Sequence, residues 1–356
     1  MPARVLVREV NWLGDLVMSL PALRAVRDAY PRAYLAVMVR RELAGLFDGI
    51  GWVDEVIGFS FRRGLAGVAD RMRLMARLRK GRFDLAVIFP ASFESALIVA
   101  MAGIGRRVGW ATDGRGVMLT DRAVRRRNST THQSNECLAM VRETLEIEAP
   151  HGDCALGVAA DSRAAMREWI ARRRRHSDAP LIALAPVAAY GPAKEWPAER
   201  YAALIDMLAE KYRAECVIVG ARGDREACER IARASRAGAI IAAGETTVGE
   251  LIAMLAESDG FVGNDSGAMH LAGALGIPTV GIFGSTNPVR TGPLGPRVRV
   301  IYRAIECSPC LERTCRFGHY NCLKLIEPAE TAAALDALGA FARGGGAGPD
   351  AEDKQR

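Results

Sequence analysis

The 356-residue sequence lacks any apolar run long enough to span a membrane. Half of its residues are hydrophobic, yet no uninterrupted run reaches the roughly 18 residues that a bilayer-crossing helix needs. The opening stretch MPARVLVREV passes directly into a strand pattern and has no apolar signal-peptide core. We therefore expect a cytoplasmic protein, whose eight cysteines are not paired in disulfides.

Common catalytic signatures are missing as well. The sequence has no Walker loop, no GxGxxG and no evident Ser/His/Asp or Cys/His set for nucleophilic catalysis. Aromatic residues make up 6% of the chain and are not interleaved with its arginines, as they would be in a basic nucleic-acid-binding protein. Nucleic-acid binding is therefore disfavoured as a function.

The net charge of +7 lies entirely in the first half of the chain. Residues 1–150 carry 23 Lys and Arg against 16 Asp and Glu, whereas residues 151–356 carry 25 of each. Two basic clusters contribute, one at 62–82 and a second at 122–127. This half is expected to meet an anionic partner, such as a phosphorylated substrate or an anionic membrane surface, or else to present a solubilising basic surface.

Short apolar runs alternate with amphipathic ones along the chain, which predicts an α/β fold with two successive domains. Strand-end loops rich in Gly, Pro, Ser and Asp recur in both halves. Open α/β sheets bind ligands at the carboxyl ends of their strands. The pattern therefore predicts a cleft between the domains that holds an anionic, nucleotide-bearing ligand.

The stretch Gly260–Thr286 has the pattern of a βαβ unit with a small-residue turn. The turn contains Asp265, Ser266 and Gly267, and His270 follows one helical turn later. A helix N-terminus at this place would offer unpaired N–H groups and a favourable dipole to a phosphate. An ordinary capped turn between a strand and a helix explains the same pattern.

Four charged residues lie in loops or helix starts that follow predicted strands. Asp15 is the last residue of a predicted turn Asn11–Asp15, and it is a candidate general base, or else the N-cap of a helix Leu16–Ala29. Lys194 is a candidate partner for a diphosphate or a surface lysine. Asp224 and Glu226 are candidates for binding ribose hydroxyls, or else complement a helix dipole.

The segment between residues 62 and 82 predicts a basic amphipathic helix. It carries eight Lys and Arg residues against a single acid, Asp70. Its apolar members repeat at helical spacing and are expected to pack on the core: Leu65, Val68, Met72, Met75 and Leu78. The opposite face would then meet an anion, a membrane surface or solvent.

Four cysteines lie close together near the end of the chain. Cys307, Cys310, Cys315 and Cys322 form the pattern C-x2-C-x4-C-x6-C, with His319 inside it. In a cytoplasmic protein this spacing is compatible with a structural zinc or iron–sulfur site or with a loop of reduced thiols. The second pair is not a CxxC, so both interpretations stay open.

Several longer segments carry a specific resemblance to one enzyme family. They read VREVNWLGDLVMSLPALRAVRDAYP, PASFESALIVAMAGIGRRVGW, GPAKEWPAERYAAL and FVGNDSGAMHLAGALGIPTVGIFGSTNPVRTGPLGP, and the cysteine segment ECSPCLERTCRFGHYNCL adds to them. Together they make the chain resemble the lipopolysaccharide heptosyltransferases of glycosyltransferase family 9, most closely the heptosyltransferase II type. The resemblance extends to about residue 335.

The resemblance implies a GT-B fold, in which two Rossmann-like domains face each other across a cleft. Residues 1–155 would bind the acceptor, residues 156–342 the nucleotide sugar, and residues 343–356 would be a disordered tail. The implied reaction transfers L-glycero-D-manno-heptose from ADP-L-glycero-β-D-manno-heptose to heptosyl-Kdo2-lipid A with inversion. It would need no cofactor and would take place at the cytoplasmic face of the inner membrane.

The resemblance also implies roles for individual residues. Asp15 would be the general base and Lys194 would contact the donor diphosphate. The remaining donor-binding residues would be Asp265, Ser266, Gly267, His270 and either Asp224 or Glu226. The acceptor-binding residues would be Arg62, Arg63, Ser92, Arg106 and Arg107. The sequence departs from the family pattern at Ala91 and Val187, which weakens the assignment of contacts to those two loops.

Three other functions remain as alternatives at this point. A transferase of the same family could use another acceptor or sugar, as in the heptosyltransferase I or III type. A GT-B sugar-nucleotide epimerase would turn over a nucleotide sugar without an acceptor, which the basic first half disfavours. A nucleic-acid-binding protein would show salt-dependent DNA binding that competes with ADP.

Overall fold

The computed structural model describes residues 1–125, 130–149 and 156–342, which contain two parallel sheets of six strands each. The first sheet consists of β1 Arg4–Arg8, β2 Tyr34–Arg40, β3 Glu55–Phe59, β4 Leu85–Ile88, β5 Arg106–Trp110 and β6 Asp121–Ala123. The second consists of β7 Leu181–Ala185, β8 Glu215–Ile218, β9 Ile240–Ile241, β10 Gly260–Asn264, β11 Thr279–Phe283 and β12 Val298–Tyr302.

Helices connect these strands and cover both faces of each sheet. They are α1 Leu13–Ala29, α2 Leu65–Lys80, α3 Phe93–Met101, α4 Gln133–Leu145, α5 Ala160–Ala171, α6 Ala198–Tyr212, α7 Arg225–Ala234, α8 Val248–Ala256, α9 Gly267–Ala274, α10 Pro288–Thr291, α11 Asn321–Lys324 and α12 Pro328–Ala337. Short 3₁₀ turns occupy Arg41–Phe47, Arg115–Met118, Pro192–Lys194 and Arg222–Asp224.

Both sheets have the strand order of a Rossmann fold. The first runs β3-β2-β1-β4-β5-β6 and the second β9-β8-β7-β10-β11-β12, with every pair parallel. Counted within each sheet, this is the order 3-2-1-4-5-6. The predicted α/β architecture of two Rossmann-like domains is therefore confirmed.

Alternation along the central strands decides which helices cover which face. In β1, Val5 and Val7 belong to the large buried cluster that includes α1 and α4, whereas Leu6 belongs to the cluster beneath α2 and α3. Successive side chains of a strand point to opposite faces. A strand buried on both faces must be apolar throughout, which explains the run VLV in β1 and LIALA in β7.

Helix α1 begins earlier than the sequence predicts. The segment predicted as a turn up to Asp15 already contains the first helical turn, because α1 starts at Leu13 with Trp12 as its N-cap. Asp15 is thus the third residue of the helix. The alternative interpretation of Asp15 as the N-cap is wrong, since Asp15 lies inside the helix and Trp12 occupies the cap position.

The predicted buried face of α2 is also wrong in part. Leu65, Val68 and Met72 are between 53% and 89% exposed, whereas Leu74 and Leu78 are buried. The inward stripe passes instead through Arg71, whose guanidinium lies 4.3 Å from the centre of the Phe61 ring and whose Nε lies 2.6 Å from Glu94 Oε1. An arginine can bury its stem in this way while its charge is paired.

Two glycines allow the domains to approach closely. A Cβ atom added to Gly14 in α1 would lie 2.8 Å from Cδ2 of His270 in α9, and one added to Gly267 would lie 2.8 Å from Cβ of Leu13. Such distances are shorter than van der Waals contact. The amino-terminal ends of α1 and α9 can therefore meet only because both positions lack side chains.

Some predictions fall outside the described residues. They concern Arg126 and Arg127 of the second basic cluster, the domain boundary within 150–155, and the tail 343–356 that was expected to be disordered. Among the helices that are described, none combines the length and the apolarity required to cross a membrane.

Candidate active site

The switch points of the two sheets lie against each other. Strand order reverses between β1 and β4 in one sheet and between β7 and β10 in the other, and ligands of open α/β sheets bind outside such points. At the first switch point Asp15 lies in the first turn of α1 and Ser92 at the start of α3, and the loops at the second carry Lys194 and Asp265. The charges of Lys194 and Asp265 both act on the pKa of Asp15. Both switch points thus contribute to one site.

Asp15 is a largely buried carboxylate at this site. Its Oδ1 accepts a hydrogen bond from Nε2 of Gln133 at 2.8 Å. Burial raises the pKa of Asp15 above its ordinary value, while the Gln133 hydrogen bond and the positive charges of Lys194 and Arg125 oppose the rise. A fixed carboxylate with a raised pKa is a better proton acceptor than one in water. Asp15 is thus chemically suited to be a general base.

An ion pair joins the two loops of the second switch point. Lys194 Nζ lies 2.5 Å from Asp265 Oδ2, and the same oxygen accepts a hydrogen bond from Oγ1 of Thr286 at 2.7 Å. Both members of the pair are largely shielded from solvent, with side chains 14% and 5% exposed. Removing one partner of such a pair destabilises the protein, because the other charge is left buried and unpaired. It holds the lysine charge at a defined place in the cleft.

The start of α9 offers polar groups that have no partner of their own. Ser266 is the N-cap residue, and its Oγ is buried without a hydrogen-bond partner among the described residues, as is Oγ of Ser285. Buried hydroxyls are normally paired. The first N–H groups of a helix are unpaired within the helix as well. The predicted phosphate-binding turn therefore has the donors that an anion requires.

His270 is a neutral part of this site. It is 3% exposed, and burial lowers its pKa to about 4. Its Nε2 lies 3.9 Å from Oδ1 of Asp265, beyond hydrogen-bond distance. At neutral pH the imidazole can donate or accept a hydrogen bond but carries no charge. It is therefore unsuited to the role of a cationic partner for phosphate.

Asn264, for which the sequence predicts no role at the site, anchors the loop that carries Lys194. It is fully buried at the end of β10. Its Nδ2 donates to the carbonyl of Pro186 at 2.6 Å, and its Oδ1 accepts from the backbone N–H of Trp196 at 3.0 Å and the hydroxyl of Tyr201 at 3.1 Å. Three hydrogen bonds thus fix both ends of the loop from one side chain.

A cavity of about 230 Å³ opens beside Asp15. It is lined by the loops after β1, β4 and β6 and by the start of α4, through Asp15, Ser92, Arg125, Gln133 and Glu136 among others. The last three were not predicted as site residues. Arg125 belongs to the basic cluster at 122–127, whereas Gln133 and Glu136 had no sequence signal because they reach the site only through packing of α4 on α1.

A buried arginine shapes the loop that presents Ser92. Arg115 has no exposed surface, and it donates hydrogen bonds to the backbone carbonyls of Pro90, Ser92 and Trp110. Burial lowers the pKa of its guanidinium to about 10, so it still carries its charge at neutral pH. Ser92, at the start of α3, is exposed at the cavity as the sequence predicted for a site loop.

The predicted acceptor-binding arginines do not gather at this cavity. Arg62 is exposed and paired with Asp70 at 2.8 Å, next to the equally exposed Arg63. Arg106 and Arg107 lie at the amino end of β5, opposite the edge where Asp15 lies. They bond to backbone carbonyls around 104–105, 118 and 144 and, for Arg106, to Asp121. Their proposed role stays a prediction that this geometry does not support.

The two candidate ribose-binding acids differ in their surroundings. Asp224 follows the end of β8, and its Oδ2 accepts a hydrogen bond from the backbone N–H of Ala221 at 2.8 Å. Glu226 lies on α7 with a side chain 84% exposed, and it pairs with Arg230 one turn later. Asp224 is the one held at a strand end.

The four cysteines of the predicted structural site are free thiols in the structure. The pKa of Cys322 is raised to about 11, chiefly by burial and further by the other three thiols. Cys307 Sγ lies 4.0 Å from Nε2 of His319. Within the described ranges, no three His, Cys, Asp or Glu side chains are grouped so as to hold a metal ion. A metal at this loop stays an untested prediction.

A second buried carboxylate lies behind Asp15. Glu9 follows β1 directly and has no exposed surface; its Oε2 lies 2.8 Å from Oγ of Ser19, while its Oε1 is buried without a partner in the described part of the chain. Burial raises the pKa of Glu9 to about 7. The folded protein therefore keeps this proton over a pH range in which the unfolded chain has lost it.

This carboxylate should make the protein less stable as pH rises. Between the ordinary glutamate pKa of 4.5 and about 7, the folded state binds more protons than the unfolded state, so the free energy of unfolding falls with pH. Glu9→Gln removes that loss and should stabilise the protein at pH 8 by up to roughly 3 kcal/mol, with little difference near pH 4. Urea unfolding at both pH values measures it. The exposed Glu143→Gln serves as control, and an equal gain at pH 4 and 8 would contradict the assignment.

A cavity of about 660 Å³ lies elsewhere, along the β9 edge of the second sheet. Its lining includes Arg173, Arg175 and Arg225 but none of the predicted site residues. Arg173 and Arg225 are both paired with Glu245. The smaller cavity is the better candidate site, because Asp15 lines it and the charges of Lys194 and Asp265 in the second domain act on Asp15.

Comparison with known proteins agrees with this geometry. The sequence model of glycosyltransferase family 9 (heptosyltransferase) matches residues 71–321. The chain is 32% identical to lipopolysaccharide heptosyltransferase 2 of Salmonella typhimurium over 309 residues, 84% of this chain and 87% of that one. The corresponding enzyme of Escherichia coli K12 is 29% identical over 345 residues, 94% and 98% of the two chains.

A solved structure carries the comparison to the fold. The structure of E. coli ADP-heptose lps heptosyltransferase II superposes with a TM-score of 0.81 at 29% identity, covering 94% of this chain and 98% of that one. The shared fold is GT-B, with two Rossmann-like domains. With a family match over more than half of its length, this chain belongs to glycosyltransferase family 9, the heptosyltransferases.

Proposed function

We propose that the protein transfers L-glycero-D-manno-heptose from ADP-L-glycero-β-D-manno-heptose to heptosyl-Kdo2-lipid A, with inversion at the anomeric carbon. The observation that carries the proposal is the placement of Asp15 in a cavity of the first domain, opposite the Lys194–Asp265 pair of the second. The donor is supported by the name of the E. coli relative, which includes ADP-heptose. The acceptor is supported by the heptosyltransferase 2 relatives.

In the proposed mechanism, Asp15 removes the proton of the acceptor hydroxyl as its oxygen attacks the anomeric carbon. The bond from that carbon to the phosphate oxygen breaks on the opposite face, and ADP leaves with the bonding electrons. Attack and departure on opposite faces invert the configuration. The proton passes from Asp15 to solvent after the product has left.

Charge develops on the leaving diphosphate, and the second domain can stabilise it. Lys194 supplies a positive charge, while the helix start at Ser266 and Gly267 supplies N–H groups and a dipole. His270 would contact the nucleotide or phosphate as a neutral hydrogen-bonding group. Asp224 is the stronger candidate of the two acids for the ribose, because Glu226 is engaged with Arg230.

The acceptor would enter the cavity of the first domain. Ser92 and Arg125 line it together with Asp15, and the charge of Arg125 acts on the proposed base. Anionic Kdo and phosphate groups of the acceptor would then meet the basic residues of the first half. In this proposal residues 1–155 bind the acceptor and residues 156–342 bind the donor, at the cytoplasmic face of the inner membrane.

A panel of donors and truncated acceptors tests the function directly. Incubation of ADP-heptose with heptosyl-Kdo2-lipid A should give a product heavier by one heptose in mass spectrometry. Product with unheptosylated Kdo2-lipid A alone would identify a heptosyltransferase I type, and product only with a longer core a III type. Isomerisation of a nucleotide sugar without acceptor would indicate an epimerase, and no turnover with ADP-heptose and the mono-heptosylated core would refute the proposal.

The close approach of Gly14 to His270 predicts a further effect. Gly14→Ala places a methyl group 2.8 Å from the imidazole, so α1 must move away from α9 and carry Asp15 with it. A shift of the proposed base by about 1 Å can lower the rate by up to about 10²-fold. Steady-state kcat measures the loss. The control is Gly51→Ala, where nothing lies within 4 Å of the added atom; equal rates for both variants would contradict the prediction.

A further inference from the structure

Two neighbouring helices of the first domain each expose apolar side chains to solvent. On α2 these are Leu65, Val68 and Met72, and on α3 they are Phe93, Leu97 and Met101. Their exposure ranges from 37% for Leu97 to 89% for Leu65. Each set repeats every three or four residues, so each occupies one face of its helix. We call these six residues the α2–α3 apolar surface.

The two helices are held side by side. Arg71 of α2 pairs with Glu94 of α3, and Nη2 of Arg79 donates to the carbonyl of Met101 at 2.7 Å. Their inner faces pack together under the first sheet through Leu74, Leu78 and residues of α3. The exposed positions are therefore not left over from a missing core contact, since both helices already bury a separate inner stripe.

Positive charge surrounds the α2–α3 apolar surface. Residues 62–101 contain eight Lys and Arg against Asp70, Asp84 and Glu94, a balance of +5. Arg63 and Lys80 are exposed among them. Apolar side chains within a basic helical face are the pattern of helices that lie in the interface of an anionic bilayer. A second copy of this chain would bring the same positive charge to the contact, which disfavours self-association through this surface.

The surface also lies next to the acceptor cavity. Ser92 lines that cavity, and Phe93, the first residue of α3, belongs to the α2–α3 apolar surface. If a lipid-linked sugar enters beside Ser92, its lipid part would lie beside α3. We infer that the α2–α3 apolar surface inserts into the headgroup region of an anionic membrane and so presents the acceptor cavity to it. The inference rests on the proposed lipid-linked acceptor.

Vesicle co-sedimentation tests this without any substrate. The full-length protein should sediment with vesicles of phosphatidylglycerol and phosphatidylethanolamine, and at least tenfold less with phosphatidylcholine alone. Leu65→Ser combined with Met72→Ser should lower binding to the anionic vesicles at least tenfold. Both side chains are exposed, so circular dichroism and melting should be unchanged. Leu325→Ser, an exposed leucine of the second domain, should bind like the wild type.

Other results would overturn the inference. Absence of sedimentation by the wild type, unchanged binding by the double variant, or an equal loss in Leu325→Ser would each do so. Concentration-dependent dimerisation that the double variant abolishes would show a second copy as the occupant instead. Because the vesicles contain neither donor nor acceptor, failure here is separable from failure of the proposed function. Transfer to a delipidated acceptor should be unaffected by the double variant.

Discussion

Asp15→Asn is expected to abolish transfer while leaving ADP binding nearly intact. The substitution keeps the size of the side chain but replaces the basic carboxylate by an amide that cannot take up the proton, a contribution of roughly 10²–10⁴ in rate. The Gln133 amide now donating to Asp15 at 2.8 Å can still donate to the asparagine oxygen, so the geometry should survive. The single-turnover rate constant measures transfer, and titration calorimetry with ADP measures binding.

Asp28→Asn is a matched control for this experiment. Asp28 lies on the same helix and pairs with Arg24 at 2.9 Å in a solvent-exposed i,i+4 pair, whose loss should cost little. Retained turnover in Asp15→Asn would show that Asp15 has only a structural role. A parallel loss of ADP affinity would mean that the substitution disturbs the donor side as well.

The pH profile gives an independent test of the same assignment. Burial raises the pKa of Asp15. As the pH falls, Asp15 is therefore protonated at a higher pH than an exposed aspartate would be. The acidic limb of kcat/KM should therefore lie above the ordinary aspartate range. His270, with a pKa lowered to about 4, contributes no step near neutrality. An inflection near pH 6.5 that disappears in His270→Gln would contradict this.

Lys194→Met should cause the second large loss. It removes the charge that would offset the leaving diphosphate, and removal of one such stabilising group typically costs about 10²–10³ in rate. It also leaves the carboxylate of Asp265 buried without its ion pair, while the hydrogen bond from the Thr286 hydroxyl is kept. We expect kcat/KM for the donor to fall by that factor and ADP affinity to weaken, as measured by initial rates and calorimetry.

Stability has to be separated from catalysis in this variant. The double variant Lys194→Met with Asp265→Asn removes both charges of the pair, so it should regain stability without regaining activity. Lys211→Met on α6 is a control because its ammonium lies at the surface. Normal donor kinetics in Lys194→Met would exclude a role in donor binding.

Local sequence patterns were sufficient to predict much of the fold. Continuous apolar runs between turn residues predict strands at 4–8, 181–185 and 279–283, and the structure has strands with these bounds. Thr247 and Glu250 have the capping-box spacing, in which each side chain bonds to the backbone N–H of the other residue, and the structure contains both hydrogen bonds. Each of these features depends on interactions within a few residues along the chain.

The face of α2 and the roles of its residues depended on tertiary packing. Helical spacing identified a stripe, but Leu65, Val68 and Met72 are exposed because Arg71 takes the inner position against Phe61 and Glu94. Periodicity reports that a helix has an apolar face, not which neighbour that face meets. The amino-end position of Arg106 and Arg107 likewise follows from the direction of β5 within the sheet.

By itself, the sequence determined the two Rossmann-like halves and singled out Asp15, Lys194 and Asp265, since each lies where an apolar strand gives way to a loop. Only the tertiary structure brings these three residues together. Gln133 reaches Asp15 across 118 positions of the chain, and Asn264 anchors the Lys194 loop across 78. Such contacts arise when helices and sheets pack, and local propensity contains no information about partners so distant in sequence.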